Sequence, residues 1–166
     1  MTAIRAAGVV EAPAAAVFEH LADLRTHWAL AGGRVRLVDE RAGGASCGGR
    51  VRMRGPLGLG RDATTEVLRA ERPRLLEGRA CIGDRTEAEI RWELEPSGEE
   101  ATLVTLRARV VAAAAWDRAL LAVGGRRWLE ALFGRVLERL AALAPELAEA
   151  QAGAPGEAWA ALAETR

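Results

Sequence analysis

The chain has 166 residues, 50% of them hydrophobic, enough to bury the core of one domain without disulfides or metal and too apolar for a disordered chain. Its 23 basic and 23 acidic residues cancel, so no overall field draws it to nucleic acid or to an acidic membrane. Every basic residue is Arg; because charge alternates in sign along the chain, this reads as the codon bias of a GC-rich bacterial genome and not as a phosphate-binding cluster.

Thr2 to Glu11 reads as a first strand that stops at Ala12-Pro13. Pro13 suits the first turn of a helix, and Val17, Phe18, Leu21 and Leu24 then recur at helical spacing. A second, short helical turn is predicted over Asp23 to Trp28, ahead of Gly32-Gly33. From Gly33 to Val111 the period changes to two. Val35 and Leu37, then Val51 and Met53, alternate with arginines as strands with one wet and one buried face, and Gly43-Gly44 and Gly48-Gly49 punctuate them as turns.

Further strands are expected over Asp62 to Ala70, Leu75 to Ile82, Thr86 to Glu95 and Ala101 to Val111. The third is the most regular, with Ala88, Ile90, Trp92 and Leu94 on one side, and Pro96-Ser97-Gly98 turns it into its neighbour. Gly55 to Gly60 lacks a P-loop Lys and reads as an inter-strand turn. A long helix follows over Ala115 to Leu143, about 40 Å at 1.5 Å per residue, with Phe133 among its apolar face and Gly124-Gly125 as a kink. Residues 145–166 read as a mobile tail with a short helix around Trp159, leaving residues 1–144 as the domain.

Cys47 and Cys81 lack the spacing of a zinc, haem or redox motif and are expected to be reduced; no metal and no cofactor is implied. No apolar run reaches the ~18 residues of a membrane span and no signal peptide is evident, so the expected location is the cytoplasm.

The fold class is therefore α+β: two short helices after the first strand, then a meander of six to seven strands in all, curled around a C-terminal helix. Val9-Val10-Glu11-Ala12-Pro13 leading into Val17-Phe18-Glu19-His20-Leu21-Ala22-Asp23, then Trp28, Gly55-Pro56, Glu71-Arg72-Pro73-Arg74-Leu75 and Arg91-Trp92-Glu93-Leu94 resemble the START-like, helix-grip superfamily. The likeness is to its polyketide cyclase/dehydrase and lipid-transport branch, from Thr2 to about Leu143. It implies an apolar pocket between sheet and long helix and no particular reaction.

Binding of a small hydrophobic molecule, a lipid or polyketide, is the expected function, with Val51, Met53, Trp92, Leu94 and Phe133 as walls, and the resemblance implies His27 and Trp28 at the mouth. Trp92 either lines that pocket or packs under the helix; His27 is either a surface or capping residue or a catalytic one. A cyclase or dehydratase would further need an ionisable group facing the pocket, and counting by two does not fix the faces of Arg54, Arg61, Asp62, Glu66, Glu77, Arg79 or Asp84. A protein-interaction module built on the tail and Trp159 is the third reading.

Overall fold

The computed structural model describes residues 3–41, 48–55, 58, 60–83 and 85–153. Strand β1 (Ala3–Val10) leads into α1 (Ala14–Ala22) and α2 (Leu24–Ala29). Six strands follow, β2 (Val35–Arg41), β3 (Gly48–Arg54), β4 (Gly60–Glu71), β5 (Leu75–Ile82), β6 (Thr86–Pro96) and β7 (Thr102–Ala112). The C-terminal part is α3 (Ala115–Leu120), a π-helical turn (Leu121–Gly125), α4 (Arg126–Ala142) and α5 (Ala144–Gly153).

All seven strands form one antiparallel sheet in the order β1-β7-β6-β5-β4-β3-β2. From β2 to β7 the sequential strands are neighbours, and β1 pairs with β7. This is the expected helix-grip architecture. Gly48 and Gly49 lie within β3, not in a turn: an added side-chain carbon on Gly48 would sit 2.2 Å from the Thr65 carbonyl oxygen, so glycine here allows close strand approach. Gly43, Gly44 and Cys47 lie outside the described residues; Cys81 is a free thiol, half-buried in β5.

The register fixes which residues face the helices. Ile4, Ala108, Ile90 and Gly78 form one inward row across β1, β7, β6 and β5; Ala6, Leu106, Trp92 and Leu76 form the next. Phe18 and Leu21 of α1 and Leu140 of α4 close this core, each at most 1% exposed. Buried Thr102 donates its hydroxyl to the Ala12 carbonyl at 2.7 Å and pins the β1–α1 corner. Helix α4 lies along β1, with Leu137 packed over Gly8.

The expected kink is present: Gly124 takes φ 122°, a conformation that L side chains rarely adopt, and separates α3 from α4. The segment read as a tail begins with a helix instead. Pro145 falls in the first turn of α5, where its missing N–H costs nothing, and Ala144 and Leu147 are buried in the core that α1 shares. Residues 154–166, with Trp159, lie outside the described part.

Candidate functional site

The concave face changes in side-chain size along its length. Towards the ends of β6 and β7 near the α1 corner it is filled by Leu94, Val104, Phe133 and Leu140. Across the middle of β4–β6 the inward positions are small, Thr65, Gly78, Ala80 and Ala88, because the register sets Thr65 opposite Ala80 and Ala80 opposite Ala88. Side chains this short cannot reach the helices above them, and a recess of about 60 Å3 remains.

Its roof comes from the junction of α1 and α2. Asp23 caps α2 by accepting the Arg25 N–H at 2.8 Å, and the Thr26 hydroxyl donates to the His20 carbonyl at 2.6 Å. The His27 ring lies with Nδ1 2.9 Å from the Leu21 carbonyl oxygen. Since a carbonyl only accepts, Nδ1 carries the hydrogen and the neutral ring has its lone pair on Nε2. Burial lowers the imidazole below its ordinary value, against the bond to Leu21, with a smaller lowering from His20.

Three aromatic rings meet at this roof. His27 stands edge-on to Trp28, centroids 4.9 Å apart, and to Trp92, at 5.4 Å. Both indole N–H groups are buried without a hydrogen-bond partner among the described residues. His27, Trp28 and Trp92 border the recess together with Leu21, Leu24, Val67 and Ile90.

The other expected site residues lie elsewhere. Val51 and Met53 pack with Ala31, Val35 and Ala63 in a second small cluster that also touches Trp28; Leu94 and Phe133 belong to the main core. The recess is not under the long helix. No residue of α3 or α4 borders it, because α4 runs along β1 and its apolar side is spent on the main core.

The polar strand residues separate as well. Arg52 holds Asp62 in a two-pronged pair at 2.7 and 3.1 Å; Glu77 pairs with Arg91 at 2.9 Å and Arg79 with Glu87 at 3.0 Å, all on the outer face. Glu66, register partner of Arg79, shares that face, and Arg54 is exposed. Asp84 is outside the described residues. Arg61 pairs with Asp117 of α3, and Asp117 also accepts from the Thr86 hydroxyl. His27 is thus the one ionisable side chain, among the described residues, that borders the recess from the inner face.

The family described as polyketide cyclase / dehydrase and lipid transport matches residues 1–145. No curated protein matches the sequence. Among solved structures, the protein TTHA0849 from Thermus thermophilus superposes with a TM-score of 0.68 at 19% identity, covering 90% of this chain and 99% of that one. The Zhui aromatase/cyclase from Streptomyces sp. R1128 gives 0.63 at 22% identity, covering 93% and 98%. A START superfamily protein from Mycobacterium smegmatis gives 0.60 at 17% identity, covering 90% and 98%.

Proposed function

Because the chain belongs to the polyketide cyclase/dehydrase and lipid-transport family, we propose that it binds a small, largely apolar molecule bearing an oxygen acceptor in the recess between α2 and β4–β6. The observation that carries this reading is the pair of buried, unpartnered indole N–H groups of Trp28 and Trp92 beside an apolar opening. A buried donor left unpaired costs about 1–3 kcal/mol, which a carbonyl or hydroxyl oxygen of the guest recovers. Apolar walls take the rest of the molecule.

The recess of about 60 Å3 is well below the roughly 300–1,000 Å3 of ligand pockets, so a guest of lipid or polyketide size enters only if the roof yields. Half-buried Trp28, with half-buried Met53 and buried Val51 in the small cluster behind it, is the wall that moves. Leu94 and Phe133 stay as the packed floor of the adjoining core.

A matched pair of probes tests this: 2-acetylnaphthalene, which carries an acceptor, and 2-ethylnaphthalene, which does not, followed by ligand-observed NMR. Trp28→Phe and Trp92→Phe keep a ring and delete the N–H. Each should weaken the ketone by about three- to tenfold, one hydrogen bond's worth, and leave the hydrocarbon alone. No binding of either probe, or equal losses for both, refutes the reading.

A cyclase or dehydratase is the second reading, favoured by His27. Its neutral Nε2 in an apolar roof can take a proton from the carbon beside a bound carbonyl, while an indole N–H stabilises the enolate oxygen. The carbanion attacks a second carbonyl of the same molecule and His27 returns its proton to the alkoxide so formed; His27 then removes the remaining proton from the attacking carbon and delivers it to that hydroxyl, which leaves as water as the carbon–carbon double bond forms. His27→Asn retains a donor for the Leu21 carbonyl and removes the base. It should abolish turnover of a poly-β-keto thioester and spare 2-acetylnaphthalene binding; turnover by the variant would exclude the base role.

A further inference from the structure

The chain is neutral overall, but its charge is not spread evenly at the end of the sheet where β7 passes into α3 and the π-helical turn. From residue 111 to residue 129 the one acidic side chain is Asp117, which is buried and held by Arg61 and Thr86. With Asp117 turned into the fold, its neighbour Trp116 is turned out, 64% exposed. Val123 at the kink is 87% exposed and Val111 47%.

Arg85, Arg118, Arg126 and Arg127, all exposed, border one open groove with Val111 and Val123, and Trp116 lies two residues before Arg118 on α3. Arg126 shares Glu130 at 2.9 Å; Arg85, Arg118 and Arg127 have no acidic partner among the described residues. The outer face of the sheet differs, for there Arg79, Arg91, Arg107 and Arg109 each face a glutamate. Isolated exposed hydrophobics need no explanation, but exposed Val111 and Val123 bordered by three arginines without an acidic partner among the described residues, with an exposed Trp on the adjoining helix, do.

We propose that this end of the molecule, Trp116 and Val123 with the surrounding arginines, docks onto an anionic lipid bilayer. An indole is stable at the headgroup level of a bilayer, a valine raised on a kink reaches the acyl boundary, and guanidinium groups pair with lipid phosphates and carboxylates. A nucleic acid would use the arginines but gain little from Val123; an acidic protein surface would leave Trp116 and Val123 without an apolar partner unless it supplied one. The lipid surface alone uses both halves of the patch. The inference stands independently of the recess, from which these residues are separate.

The test is co-sedimentation of the full chain with phosphatidylcholine vesicles, with and without phosphatidylserine. Binding is expected only to the anionic vesicles, weakening as salt is raised. Trp116→Ala with Val123→Asp should abolish it, and Arg127→Glu should reduce it by roughly 25- to 30-fold, since one basic residue near such a surface contributes about fivefold and charge reversal doubles that contribution in free energy. Arg36→Glu, an equal charge change on exposed β2, should have no effect, and circular dichroism should show all variants folded. Absence of anionic-vesicle binding, retention of it in Trp116→Ala/Val123→Asp, or an equal loss in Arg36→Glu overturns the proposal. So does tighter, Trp116-independent binding to a soluble single-stranded oligonucleotide.

Discussion

Replacing Asp117 by Ala should destabilise the protein more than any other single change in the C-terminal helical region outside the apolar core. Burial pushes this carboxyl up, but hydrogen bonds from Arg61 and Thr86 and the Arg61 charge outweigh it and hold the group below its ordinary value. Loss of the carboxylate strands the Thr86 hydroxyl, 7% exposed, at a cost of about 1–3 kcal/mol. Arg61 is 32% exposed at its side chain and can turn to water, so its share is screened to about 1 kcal/mol or less. The sum, roughly 1–4 kcal/mol, corresponds to about 3–12 °C in Tm for a domain of this size. Asp117→Asn keeps an acceptor for Thr86 and should cost about 1 kcal/mol. Urea denaturation of Asp117→Ala, Thr86→Val and the double variant provides the measure, because residues in one network couple by about 0.5–3 kcal/mol. If Asp117→Ala changes stability by under about 0.5 kcal/mol, or the two changes simply add, the network does not hold α3 to the sheet.

Two further outcomes follow from the same geometry. Burial lowers His20 and His27 from 6.5, against the raising influence of Asp23 and Glu146 on His20, so the folded state binds fewer protons than the unfolded one. Stability is therefore full above about pH 6.5 and falls as pH drops below it toward the lower folded values; His27→Asn should flatten that part of a Tm-versus-pH curve, and an unchanged slope would remove His27 from the cause. Gly48→Ala forces a side-chain carbon against the Thr65 backbone, which cannot rotate away as a side chain would, so a loss of about 1–3 kcal/mol is expected in urea titration.

Most of the fold was legible because alternation at two and at three to four residues directly reports which side is buried. Trp92 and Leu94 lie inward as the alternation of β6 requires, and Gly124 breaks the C-terminal helix where the Gly-Gly pair stands. The errors have local causes. Gly48-Gly49 has a turn's composition, yet β3 needs glycine to let backbones approach, and that need is visible only once β4 is beside it. Pro145 ends one helix and opens another, and the two roles look the same in a sequence whose following residues are mostly Ala and Glu.

The site was less legible because its position depends on register and not on residue type. Thr65, Gly78 and Ala80 carry no signal alone; they border a recess only because adjacent strands set them in adjoining rows, with a bulge between Val67 and Arg69 that shifts the alternation of β4. His27 and Trp28 were singled out by the resemblance to the START-like superfamily, and α2 sets them at the border of the recess, whereas Phe133 packs in the main core because α4 follows β1. Asp117 was equally silent, because its partners Arg61 and Thr86 lie 56 and 31 residues away in sequence. It follows that the two features on which the proposals rest have opposite origins. The recess comes from what is missing, side-chain volume on three strands, while the α3 surface comes from one buried carboxylate that turns its tryptophan neighbour outward. Enlarging the inward residues should close the first without touching the second, and releasing Asp117 should do the reverse.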